Sequence, residues 1–192
     1  NYGELSNEIN INTGGIGFDT AVYTENSNAE EYLPKFIVKG KSLVGKLPQL
    51  FELFEEILVQ SRFDDGKRMQ ELVQEIKSNW DMNLFRRGQQ LVTNRVLSYV
   101  SPIAQYNEIG MLLFYDFISD LENNFTEKSK EITAQLEKVA RLIFNKENLI
   151  TSVTIEEENY LQFKESFSEF VNALSSDKRS REQYKFEKID HN

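Results

Sequence analysis

Residues 12–25 read NTGGIGFDTAVYTE, with glycine at positions 14, 15 and 17. Glycines this close let a backbone turn tightly or approach a phosphate. A dinucleotide site needs G-x-G-x-x-G after a strand and opening a helix, so that the pyrophosphate meets the helix N-terminus. Here Thr20 stands at the third glycine position, and the order is helix, glycines, strand. The pattern therefore predicts a helix stop with a close packing contact. Gly40-Lys41-Ser42 imitates the end of a phosphate loop, but Lys35 occupies the place where that loop needs a glycine. Arg86-Arg87-Gly88 offers two cations for an anion, set against a plainer reading as a solvent-facing turn or a helix break at Gly88.

Metal and nucleophile chemistry is poorly supplied. His191 is the sole histidine and there is no cysteine. Neither an H-E-x-x-H nor an H-x-x-E-H pair can be built, and Ser-His-Asp or Cys-His mechanisms lack their base. A carboxylate-only metal site is open in principle, given 31 Asp and Glu residues, but none shows calcium-loop spacing. Tyr99, Ser101, Pro102, Tyr106, Asn107 and Glu108 form a polar-aromatic cluster. Capping and junction packing is its plain reading. Contact with substrate or with a neighbouring domain is the sharper one, and Tyr99, Ser101, Tyr106, Asn107 and Glu108 are its candidates. No catalytic, cofactor-binding or metal-ligating residue is assigned.

Composition narrows the classes further. The 192 residues carry a net charge of −9, which argues against phosphate-backbone binding and hence against a nucleic-acid partner. No apolar run reaches the roughly 18 residues of a membrane span. Hydrophobic residues make up 40% and aromatics 12%, enough for a packed core without staples. The lack of cysteine fits a reducing compartment, cytoplasm or organelle matrix. Residue 1 is Asn and opens a helical pattern, so the chain reads as a piece of a longer protein.

The elements that would position these residues follow from periodicity. Tyr2, Leu5 and Ile9 predict a helix that Thr13-Gly14-Gly15 stops. Ile16 to Thr24 alternates as a strand, NSNAEE is a polar turn, and Phe36 and Val38 lie on a second strand with Pro34 near its start. Leu47, Leu50, Phe51, Phe54, Ile57 and Leu58 share a helix face, with Pro48 in the first turn. Asp64 or Asp65 caps a long helix carrying Met69, Leu72, Val73, Ile76 and Trp80 and running towards Tyr99. Ser101-Pro102 starts another helix, to Leu121, predicted to be the most buried. Thr126 begins a helix with Ile132, Leu136, Val139 and Ile143 on one stripe. The segment NLITSVTI, from Asn148, predicts a short strand. Phe163, Phe167, Phe170, Val171 and Leu174 line a last helix, with Glu156 to Glu158 at its positive end. The expectation is one α+β domain over residues 1–176, a small antiparallel sheet with several packed helices, followed by a polar tail or linker over 177–192.

Five ordered blocks carry a resemblance. They are ELSNEIN with TGGIGF, YLPKFIVKGKSLVGKLPQLFELFEEIL, FDDGKRMQELVQEIKS, SYVSPIAQYNE and IFNKENLITSVT. In sequence and order they resemble the presequence-protease (falcilysin-like) branch of the insulinase/pitrilysin superfamily of zinc metallopeptidases, from about Tyr2 to Thr154. The resemblance implies a partial insulinase/pitrilysin-type metallohydrolase domain, the non-catalytic third-domain region of a clamshell enzyme that degrades short unstructured peptides. It implies zinc in another domain of the parent, the remaining domains as partners, and chamber-wall and inter-domain contacts as the role of this piece. The family's zinc ligands and catalytic glutamate have no match here. The rival expectation is a stand-alone helical interaction module without peptidase activity.

Overall fold

The computed structural model describes residues 2–25, 28–177 and 184–185. It is mostly helical, with an antiparallel sheet. The polar tail expected over 177–192, and His191 within it, lie outside the described residues apart from Asp177 and the pair 184–185. No helix among the described residues is long and apolar enough to cross a membrane. The chain divides into two compact units. One comprises Asn1–Asp19, Phe36–Arg62 and Gln135–Ser180; the other comprises Thr20–Lys35, Phe63–Ala134 and Arg181–Asn192.

Strands β1 (Ile16–Glu25) and β2 (Asn28–Gly40) are neighbours in the sheet, and the two-residue β3 (Tyr184–Lys185) lies on the other side of β2. β3 runs antiparallel to β2, with Glu31 opposite Lys185 and Tyr32 opposite Tyr184. Asn28 to Glu31, which the sequence suggests as part of a polar turn, belong to β2, which already begins at Asn28. A ladder partner at Glu31 and Tyr32 outweighs the polar composition of that stretch. Pro34 therefore lies inside β2 rather than near its start, past the two residues that β3 pairs.

In the first unit, α1 (Tyr2–Asn12) ends at the glycine pair. Gly15 has φ +115°, a conformation that favours glycine. The Gly14 N–H donates to the Lys41 carbonyl at 2.6 Å, and the Lys41 N–H donates to Gly15 O at 3.2 Å. A Cβ at Gly14 would already stand 3.4 Å from Lys41 Cδ. The glycines thus end a helix and clasp the chain that leaves β2. Gly40 has its own reason: a Cβ there would meet Phe54 Cζ at 2.5 Å and Leu50 Cδ1 at 2.8 Å. Only a bare backbone lets α2 (Leu47–Leu58) press this close to the strand end. Pro48 sits in the first turn of α2, where its missing donor is one of the orphans.

The core of this unit joins α2 to α7 (Tyr160–Ala173). Leu47, Phe51, Phe163, Phe170 and Leu174 are buried together, with Phe54, Phe144, Ile155, Phe167 and Val171 packed around them. The segment from Asn148 to Thr154 is not a strand. β-branched residues favour a strand only where a ladder partner is at hand, and here Ile150 is left 74% exposed. The chain is instead pinned one turn earlier by Asn145, only 2% exposed. Its amide donates to Asp177 O at 2.9 Å and its Oδ1 accepts from Glu147 N–H at 2.9 Å. The next N–H, of Lys146, donates to Ser175 O at 2.9 Å.

The second unit is built on α3 (Gly66–Leu97), capped by Asp65, whose carboxylate accepts from Arg68 N–H at 3.0 Å. Val73 on α3 packs with Ile118 and Leu121 of α5 (Leu112–Asn123) and with Phe125, the first residue of α6 (Phe125–Ile143). Met69, Phe114 and Ile132 close around them. Between α3 and α5 lies α4 (Pro102–Ile109). The single buried helix expected from Pro102 to Leu121 is thus two helices, broken at Gly110 and Met111, where Met111 has φ −113°, ψ −108°. Nor is it the most buried: Ile109, Leu113 and Phe117 are all exposed. Gly110 ends the first helix by donating to Asn107 O, and after the turn only one face of α5, with Ile118 and Leu121, meets α3.

A polar triad ties α3 to α5. The Lys77 ammonium donates to both Asp81 oxygens at 2.9 and 2.7 Å, and the Tyr115 hydroxyl donates to Asp81 Oδ1 at 2.9 Å. These bonds, that from Lys77 first, hold the Asp81 carboxyl below the usual carboxylate range. Asp81 in turn holds the Lys77 ammonium above its ordinary value. A depressed carboxyl stabilises the fold above about pH 3.9, the unfolded value, and loses that effect as pH falls through the folded-state value. A raised ammonium stabilises below about pH 10.4 and loses the effect as pH rises through its folded-state value. The triad therefore acts across the neutral range. Asp81→Asn should lower the melting temperature at pH 7, and the gap to the natural chain should narrow in melts at pH 3 and below. A gap of unchanged size at low pH would assign the loss to packing instead of charge.

Candidate functional site

The five sequence candidates gather where α3 hands over to α4. Ser101 is extended (φ −131°, ψ 123°) and its Oγ accepts from Ala104 N–H at 3.4 Å, so it caps α4 with Pro102 pre-set in the first turn. Two turns on from Ser101, Glu108 is only 4% exposed. Its Oε1 accepts from the Arg95 guanidinium at 3.1 Å and its Oε2 from the Asn94 amide at 3.1 Å. The same amide reaches Ala104 O at 3.3 Å, so Asn94 clips α4 at two successive turns. The Arg95 guanidinium lies 5.8 Å from the Tyr99 ring centroid. Glu108, and after it Tyr99, holds Arg95 above its ordinary value. Tyr106 packs on Tyr32 with ring centroids 5.9 Å apart. Asn107 contributes its carbonyl, which accepts from Gly110 N–H at 3.0 Å.

This arrangement orients helices. Its carboxylate, that of Glu108, is occupied by two donors, the Arg95 guanidinium and the Asn94 amide. Asn94 and Arg95 are the members that sequence reading missed. Both lie in the last turns of α3, where their side chains reach Ala104 and Glu108 of α4, and nothing local in the sequence marks them.

A second feature lies beside it on α3. Arg87 departs from helical geometry (φ −121°, ψ 19°), which kinks the helix next to Gly88 as the sequence anticipates. Beside the kink is a shallow hollow lined by Arg86, Arg87, Gln89, Gln90 and Thr93. Gly40-Lys41-Ser42 forms no phosphate loop, since the backbone of Lys41 is taken by Gly14 and Gly15. Among the described residues no group of three or more His, Cys, Asp or Glu could hold a metal ion. The described residues therefore do not fit a zinc site.

Residues 1–121 match the family described as associated with the peptidases of metallopeptidase family sixteen, subfamily C. The chain belongs to that family. Over 187 residues it is 33% identical to Protein HypA of Clostridium perfringens, covering 97% of this chain and 19% of that protein. Over 175 residues it is 25% identical to presequence protease 1, chloroplastic/mitochondrial, of Arabidopsis thaliana, covering 89% of this chain and 16% of the relative. Over 185 residues it is 24% identical to the mitochondrial presequence protease of Drosophila melanogaster, covering 92% and 18%. This peptidase-associated chain thus spans less than a fifth of the length of the curated relatives it matches. The homology is distant and runs over most of the chain, and it agrees with the resemblance carried by the five sequence blocks.

Proposed function

We propose that this chain is a non-catalytic part of a clamshell zinc metallopeptidase that degrades short unstructured peptides, and that it supplies chamber wall and inter-domain contacts. The observation that carries the reading is the match of residues 1–121 to the peptidase-associated family, within a chain that spans under a fifth of its presequence-protease relatives. One physical fact agrees with it. Large apolar side chains such as Phe85, Val92 and Leu113 stand exposed, as surfaces that meet other domains do. In this reading Tyr99, Ser101, Tyr106, Asn107 and Glu108 hold the α3–α4 corner and present it to substrate or to a neighbouring domain.

The test is hydrolysis of a quenched, unstructured peptide by the 192-residue chain and by the full-length parent, both supplied with zinc. Activity confined to the parent, and abolished by a chelator, is the expected result. Robust chelator-sensitive hydrolysis by the chain alone would overturn the non-catalytic assignment. A parent that binds helical partners but cleaves nothing would favour the stand-alone interaction module.

A further inference from the structure

The segment that leads from Asn145 to α7 has the make-up of a strand and none of its bonds. Five of the six residues 150–155 are β-branched, and none is Gly, Pro, Asn or Asp, the residues that turns favour. The backbone enters it extended at Leu149 (φ −75°, ψ 128°) and leaves it extended at Glu156 (φ −67°, ψ 142°), with no turn or bend between. Among the described residues, none of 150–155 takes part in a hydrogen bond. Ile155 packs against the core that joins α2 to α7, whereas Ile150 and Val153 stand 74 and 40% exposed.

A stretch of this kind is a ready edge for another strand, because extended backbone holds its N–H and C=O groups in a row. Exposed edges are usually blunted by a charge, a proline or a bulge. Residues 148–155 carry no charge and no proline. Water satisfies an exposed backbone but gives no reason for five β-branched side chains. A neighbouring strand does, since such side chains act through cross-strand pairs. The backbone also sets the chemistry of the occupant. Only another extended chain meets successive donors and acceptors at about 3.3 Å per residue; a helix keeps its own groups bonded internally.

Size indicates where that strand comes from. A stable complex between separate chains buries about 800 Å² on each partner. A six-residue strand falls short of that, whereas a strand tethered in the same polypeptide acts at an effective concentration of about millimolar. More than four fifths of each relative's length lies outside the matched region.

We propose that residues 150–155 pair, backbone to backbone, with a strand from elsewhere in the parent polypeptide. The source of the strand rests on the reading of the chain as part of a larger peptidase.

Photo-crosslinking in the full-length parent tests this, with p-benzoylphenylalanine at Ile150 in one variant and at Thr154 in another. Both residues are exposed in this chain, and four residues apart they share one face of an extended backbone. Both products should be intramolecular and fall on one segment outside the 192 residues. The two sites on that segment should lie about four residues apart, because paired strands rise alike. A helix laid along the same stretch would spread them to about nine residues. Amide hydrogen exchange in the unsubstituted parent is the second measurement. At least every second amide of 150–155 should exchange about a hundredfold more slowly than in an unstructured peptide of the same sequence. Helical spacing overturns the inference, as does a crosslink to a second copy, to added substrate peptide or to a site within the 192 residues. So does no crosslink at all, and so do unprotected amides. Peptide hydrolysis by the same preparation keeps the two readings apart. An active parent without the ladder sinks the strand pairing alone, and an inactive parent that shows it sinks the peptidase reading alone.

Discussion

Replacing Phe51 by alanine is expected to destabilise the chain by about 3–5 kcal/mol, the range for truncating a buried phenylalanine. Its ring stands 5.7–5.9 Å from four others, Phe54, Phe163, Phe167 and Phe170, and its side chain is 7% exposed. The loss combines two parts. Transfer of the ring from water is forfeited, and the cavity left behind cannot close, because the surrounding rings hold one another apart. Paired aromatic geometry adds about 0.5–1.5 kcal/mol beyond area alone. For a chain of this length each kcal/mol moves the midpoint by about 2–4 °C, so a fall of about 10 °C or more should appear in thermal melts. Phe51→Leu, which refills most of the volume, should cost clearly less. A loss below about 1 kcal/mol for the alanine variant would show that α2 and α7 do not depend on this ring.

The second large effect lies at the α3–α4 corner. Glu108→Ala should cost about 2–3 kcal/mol in urea unfolding, since hydrogen bonds to charged groups are worth about 1.5–3 kcal/mol. Breaking a fully buried ion pair costs about 3–5 kcal/mol, but here the Arg95 side chain is 49% exposed and water partly replaces its partner. Asn94 is left with only its bond to Ala104 O. Glu108→Gln should be milder, because its carbonyl oxygen can still accept from one of the two donors. A double-mutant cycle of Glu108→Ala with Arg95→Ala isolates the pair. A coupling energy near zero would show that Glu108 acts through Asn94 and helix packing alone.

Both predictions concern residues whose roles differ in how far the sequence reveals them. The phenylalanines of α7 recur at three and four residues, and periodicity alone places them on one buried face. Glu108 is different. In a chain with 31 acidic residues nothing local marks one carboxylate as buried, and only the return of α4 against Asn94 and Arg95 singles it out.

The same division holds across the chain. Local chemistry decided the helix stop at Gly14-Gly15, the caps at Asp65 and Ser101, Pro48 in the first turn of α2 and the kink next to Gly88. Each rests on a backbone preference or a side chain satisfying an orphan group within four residues, so neighbours in sequence suffice. Five ordered blocks also carried the family, which the match over residues 1–121 bears out. Tertiary structure alone decided the rest. Gly40 is bare because Phe54 and Leu50 press on it from the next helix, and β2 starts at Asn28 where β3 supplies a partner further along. The segment after Asn148 has a strand's composition but no ladder, and the apolar run from Pro102 breaks into two helices that bury one face each. Those outcomes depend on which surfaces meet at long range, and composition records how much apolar surface there is but not what covers it.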